Sequence, residues 1–325
     1  MSESGFGAAL IPAPRDGAET VEGGAAPGPQ SREAPAPDRR TGDDTAAIGG
    51  GGRFYCDVHR TKNGEGFRIT YTLDGLTFRH ADGFEEIPAK AGDKLFLDTL
   101  PLQHTDGAIG LLKRGVEVYY LRRPTMVAKR REGLKLSKTT RNDIKALMTI
   151  EDKWFRRVSE DFLVMRRKIA AYRSLLRSHQ QLLNRSKALS EDERNILRPV
   201  IKSIEEQMDT LAKQIAEEAG KRCPAYNRLV DELGIRGSLA GMQALAELAT
   251  YADFTNSPLR GLKKLLGLYK PIKSKKKRHS RLYNGQLRRA LDRLAMAHYG
   301  TIPNGRKCWM LARRIKELST PQTQG

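Results

Sequence analysis

A stripe of residues runs through the middle of the chain at alternating steps of three and four: Phe155, Val158, Phe162, Met165, Ile169, Tyr172, Leu176, His179 and Leu183. A second run, Leu197, Ile201, Ile204, Met208, Leu211 and Ile215, follows a break at Ser190. Only a helix keeps such positions on one side, and this spacing is that of a coiled-coil seam. Ser190 and Glu193 have the separation of a capping box, which would start the second helix. The pattern predicts two long helices, folded back as an antiparallel hairpin or paired between subunits, with an ordinary bundle face as the alternative. His179, at a core position, is expected to be packed rather than to bind a ligand.

Ahead of the stripe the texture is different. Residues 54–59, 67–73, 76–79, 95–99 and 116–121 are short β-type runs punctuated by Gly, Asp and Asn. The first three are close enough for an antiparallel meander, and 102–114 is long enough for a crossover helix. An α/β sheet with three leading antiparallel strands and then parallel ones is expected, with 138–150 continuing as a helix. After Pro224 the pattern is helical again, cut into short pieces by glycines such as Gly234, Gly241, Gly267 and Gly285. Residues 1–52 are mostly Ala, Gly, Pro, Ser, Asp and Glu and read as a disordered tail. The expected order is therefore tail 1–52, α/β domain 53–150, coiled-coil arm 151–220, all-α basic domain 221–318 and a short tail 319–325.

The chain carries 58 Lys and Arg against 38 Asp and Glu, a net of +20, although residues 1–50 are net −4. The excess is concentrated: 259–325 holds 18 basic and 2 acidic side chains, and 122–185 holds 18 and 6. A field of one sign this large suits a polyanion, and two separate basic surfaces suit an extended backbone gripped at more than one place. No run approaches the ~20 apolar residues of a spanning helix. There is no basic-then-apolar leader, so a cytoplasmic, nucleoid-associated protein without a membrane partner is expected. Cys56, Cys223 and Cys308 are far apart and form no CxxC pair, which argues against both a disulfide framework and a zinc site.

Three aspartates could carry chemistry. Asp57 lies inside the first strand, Asp98 ends a later one, and Asp143 follows on a helix. In a ribonuclease-H-like sheet the corresponding elements lie side by side, so these carboxylates would converge, and hard oxygen donors suit Mg2+. Three aspartates among 38 acids are weak evidence by spacing alone. In the basic end, Ser274 is flanked by Lys273, Lys275, Lys276, Lys277 and Arg278, whose field would favour an alkoxide and draw in a phosphodiester. The same loop could grip phosphate while Ser274 does no chemistry. Arg281, Arg288 and Arg289 extend the candidate nucleic-acid-binding set. Ser280 is expected to cap a helix near Leu282, and Gly234 to Gly241 could form a phosphate-meeting turn or an ordinary one. Tyr299 and Trp309 could stack on bases, but their helical spacing favours core packing.

The run Cys56-Asp57-Val58-His59-Arg60, then Leu97-Asp98-Thr99, then Gly115-Val116-Glu117-Val118 with Arg123-Pro124, then Ser137-Lys138-Thr139-Thr140-Arg141-Asn142-Asp143, resembles the RuvC-like domain of DEDD insertion-sequence transposases. This family includes the Piv-type DNA invertases. Farther along, Glu247 through Phe254, Leu265-Gly267-Leu268, Pro271, and Ser280 through Leu291 resemble the same family's second domain. Together the resemblance covers roughly 53–300. It implies an RNase H-like (RuvC-like) α/β domain, Mg2+ held by Asp57, Asp98 and Asp143, and Ser274 as nucleophile. It further implies DNA as substrate, a structured guide RNA, and homo-oligomers joined through the coiled coil. The implied function is a DNA transposase or site-specific recombinase. Two departures matter: Asp98 stands where the family has Glu, and Thr140 where it has Asp. The second favours the alternative, a degenerate relative that binds nucleic acid without cutting it. A nuclease using the sheet domain alone is a third reading.

Overall fold

The computed structural model describes residues 51–61, 66–268 and 284–320. Six strands form one mixed sheet: β1 (Arg53–Arg60), β2 (Phe67–Thr72), β3 (Arg79–Ala81), β4 (Lys94–Leu97), β5 (Glu117–Leu121) and β6 (Phe155–Arg157). Their order is β3-β2-β1-β4-β5-β6. β1, β2 and β3 pair antiparallel, β1 and β4 run parallel, as do β4 and β5, and β6 returns antiparallel to β5. The meander followed by parallel strands agrees with the order expected from the sequence. The third strand begins three residues later than expected. Asp74 Oδ1 accepts the Leu76 and Thr77 amides, both at 2.8 Å, and so turns those residues into a loop.

Side chains alternate across each strand, so the sheet has two buried faces. One carries Phe54, Cys56, Val58, Leu95, Leu97 and Val118, packed under α1 (Thr105–Lys113), the expected crossover helix. The other carries Tyr55, Phe96 and Leu121, packed under α2 (Thr125–Gly133) and α3 (Thr140–Met148). The helix α3 falls within the expected 138–150, and Thr139 caps it by accepting the Asn142 amide at 3.2 Å. No sequence signal marks α2, because its basic run Lys129-Arg130-Arg131 has no apolar periodicity.

The long stripe divides. Phe155 lies in β6 opposite Leu121, edge-on to Phe96 at 5.0 Å, and Val158 is buried in the core of the sheet. These two therefore serve the sheet, and the helix begins only after the Ser159 cap. From there α4 (Glu160–Ser186) and α5 (Glu191–Arg222) form an antiparallel hairpin, with the Ser190–Glu193 capping box present in full. Phe162, Met165, Ile169 and Tyr172 are buried; Leu176 and the outer stripe are half-buried, and near the tip Ile196 is 74% exposed. His179 is largely covered and bonds Glu205 across the hairpin at 2.8 Å.

The inner end of this hairpin shares a core with α6 (Pro224–Glu232), α7 (Leu239–Tyr251), α8 (Leu259–Leu265), α9 (Gly285–Tyr299) and α10 (Gly305–Ser319). Only Cys223 separates α5 from α6. Gly241, rather than opening a turn, lies inside α7, where a Cβ would come within 2.6 Å of Ala297 Cβ, so α7 and α9 can pack closely. Tyr299 and Trp309 pack against this core. The α9 cap is Asn284, which accepts the Gln286 and Leu287 amides. Among the described residues no helix is long and apolar enough to cross a membrane.

At the centre of these helices the fully buried Glu247 carboxylate of α7 accepts from Arg173 of α4 at 2.7 and 3.0 Å. It also accepts from Arg293 of α9 at 2.9 Å and from Gln243 at 3.0 Å. Arg173 lies 5.2 Å over the Tyr251 ring and Arg293 6.0 Å over Tyr172. Removing the charge from one side of such a group leaves the other side uncompensated. Glu247→Gln, which leaves two guanidinium groups facing each other, is expected to cost about 3 kcal/mol. Urea unfolding checks this; a loss below about 1 kcal/mol would mean that the network is incidental.

Candidate active centre

Tyr55, Phe96 and Tyr119 lie opposite one another on β1, β4 and β5, with their rings stacked at 5.2 and 5.1 Å. This aromatic row helps hold the register of three strands. Two residues farther along, on the same face by the two-residue period, come Asp57 on β1 and Asp98 just past the end of β4. The first turn of α3, packed on β1, brings Thr140 and Asp143 to the same place; three apart, they share one helix face.

The resulting group is crowded with negative charge. Asp57 is buried, and burial together with the Asp143 charge pushes it up to about 6, against the pull of the Thr140 hydroxyl within hydrogen-bonding reach. Burial and the Asp57 charge push Asp98 up to about 7, although the Val58 and Thr99 amides and the Thr99 hydroxyl favour its ionised form. The Thr99 amide donates to Asp98 Oδ1 at 2.6 Å. Behind the pair, burial and both carboxylates raise the Cys56 thiol. His59 Nδ1 stands 3.8 Å from Asp57 Oδ2 and makes no hydrogen bond among the described residues. Asp143 is the exception, because the Arg131 guanidinium of α2 ion-pairs with its Oδ1.

Arg131 was not legible as part of this group. It sits 12 residues before Asp143 in a basic run that reads as solvated surface, and its only distinguishing signal is that it approaches α3 through a left-handed turn. Lys135, at φ 54°, closes α2 so that the Leu136 amide returns to the Arg131 carbonyl at 3.0 Å.

The donors around Asp57 and Asp98 are hard oxygens, and among the described residues no Lys or Arg ion-pairs with these two buried acids, so the pair fits a divalent ion such as Mg2+ in charge and chemistry. The third carboxylate is engaged by Arg131, and among the described residues no three acidic, His or Cys side chains stand close enough together to hold a metal. Ser274, Lys273, Lys275, Lys276, Lys277, Arg278 and Arg281, together with Ser280, lie outside the described residues. Arg289 is exposed on α9. Arg288 is tied into the fold, donating to Asp292 at 3.0 and 3.2 Å and to the Gly267 carbonyl at 3.4 Å.

No protein-family model matches the chain, nor does any curated protein.

A carboxyl group with a raised pKa holds its proton more tightly in the folded than in the unfolded chain. Its contribution to stability is complete below about pH 4 and is lost as the pH rises through about 6 to 7. Asp98→Asn keeps the acceptor for Thr99 and removes the repulsion. The variant should be more stable than wild type by on the order of 2 kcal/mol at about pH 8, with a flatter stability profile between about pH 5 and 7. Urea unfolding across that range checks both; an unchanged stability at the upper end would mean that Asp57 and Asp98 are not under mutual strain.

Proposed function

We propose that this protein is a DNA transposase or site-specific recombinase of the DEDD insertion-sequence type, which cuts and exchanges DNA strands under the direction of a structured RNA. The observation that carries this reading is the gathering of Asp57, Asp98, Thr140 and Asp143 from three separate elements at one end of the sheet. The antiparallel-then-parallel strand order supports an RNase H-like, RuvC-like assignment for the sheet. In this reading the hairpin is the coiled-coil arm through which copies assemble, and the basic stretches bind DNA and guide RNA.

The roles follow from charge and position. Asp57 and Asp98 would hold Mg2+, which when bound neutralises their repulsion and polarises a phosphodiester. Thr140 steadies the ionised form of Asp57, and Thr99 and Val58 steady that of Asp98. Ser274 would supply the hydroxyl that attacks phosphorus. An Oγ–P bond forms as one P–O ester bond breaks, the serine gives up its proton, the departing strand end leaves as a protonated sugar hydroxyl, and the other end stays on the serine as a covalent adduct. Lys273, Lys275, Lys276, Lys277 and Arg278 would draw the DNA backbone to it. A second reading, a non-catalytic nucleic-acid-binding relative, is favoured by one specific pairing: Arg131 on Asp143 beside a threonine in a carboxylate position.

Strand cleavage with Mg2+, matched RNA and DNA separates these readings. Asp57→Asn should abolish cutting, and Ser274→Ala should abolish the covalent adduct while DNA affinity stays within about threefold of wild type. If Ser274→Ala cuts as well as wild type while Asp57→Asn is inactive, a sheet-domain nuclease replaces the recombinase. If the wild type binds and never cuts, the non-catalytic reading holds.

A further inference from the structure

We propose that Arg131 is an internal counter-cation that competes with a divalent metal ion for Asp143 and so sets how tightly the centre holds the ion. This rests on the reading of Asp57 and Asp98 as the metal-holding pair. Asp57 stands between the charges of Asp98 and Asp143, and among the described residues Asp143 is the one of the three that ion-pairs with an Arg or Lys. The Arg131 side chain is 13% exposed and that of Asp143 21%, so the ion pair is poorly screened and a second positive charge beside it would be repelled. With its Oδ1 taken by the guanidinium, Asp143 has less capacity to serve as the third oxygen ligand of an ion seated on Asp57 and Asp98.

The backbone geometry supports a built feature. Arg131 lies in the last turn of α2, and its carbonyl is fixed by the closing Leu136 amide. That closure places Lys135 in the left-handed region, a conformation that costs about 1 kcal/mol for a residue with a Cβ. Asp143 is fixed from the other side by the capped first turn of α3, which packs on β1. The two groups therefore meet from anchored backbones, while the long guanidinium stem leaves the contact breakable.

The test is Mn2+ binding to the full chain, followed by the electron paramagnetic resonance of free Mn2+, for wild type, Arg131→Gln, Arg131→Lys and the double variant Arg131→Gln/Asp143→Asn. Arg131→Gln should bind Mn2+ at least about tenfold more tightly than wild type. Arg131→Lys, which keeps the charge, should stay near the wild-type affinity, and the double variant should lose the gain. Arg131→Met, which keeps the packing of the stem, is measured alongside in case the amide unsettles the fold. Equal or weaker binding in both neutral variants, no binding in any protein, or a gain that survives Asp143→Asn would each overturn the proposal. Because the readout is metal affinity, a protein that never cuts DNA would sink the recombinase reading and leave this one standing.

Discussion

The helical half of the molecule is organised around one buried negative charge. A carboxylate out of water is tolerated only when its lone pairs and its charge are both answered, and Glu247 draws its answers from α4, α7 and α9 at once. Apolar contacts alone would let these helices slide by a turn with little change in buried area. Two guanidinium groups from different helices on one carboxylate admit a single alignment. Because Arg173 belongs to the hairpin, the same charge sets how the hairpin meets the C-terminal helices.

The sheet half solves the opposite problem. There the aromatic row Tyr55, Phe96 and Tyr119 pulls three strands into register, and that register forces Asp57 and Asp98 together at the end of the sheet. Like charges in a shared site each raise the other's affinity for a proton. Packing energy from the row therefore sustains an electrostatic conflict two residues away.

Much of this was legible in the sequence where a simple period governs. The short β-type runs with their Gly, Asp and Asn punctuation pointed to the strands and, with the family resemblance, to Asp57, Asp98 and Asp143 as neighbours; the capping box marked the start of α5. Legibility failed where one pattern satisfied two structures. Phe155 and Val158 fit the heptad, yet a free edge on β5 claimed them for the sheet. The third strand was displaced because an aspartate hydrogen-bonded its own loop. Arg131 was missed for a different reason: nothing in a basic run says which guanidinium turns inward, since that depends on a chain reversal at Lys135 and on a partner in another helix.

The junction at Cys223 has a mechanical meaning. The 32 residues of α5 end one residue before α6 begins, so no flexible joint separates the hairpin from the C-terminal helices. The 27 residues of α4 span about 40 Å, and the part after Leu176 lies beyond the shared core. Such a rod is a lever with its fulcrum beside Glu247. A displacement of several ångströms at the tip near Ile196 arrives at Arg173 as a much smaller movement with a correspondingly larger force. Whatever grips the far end of the hairpin acts directly on the alignment of α7 and α9.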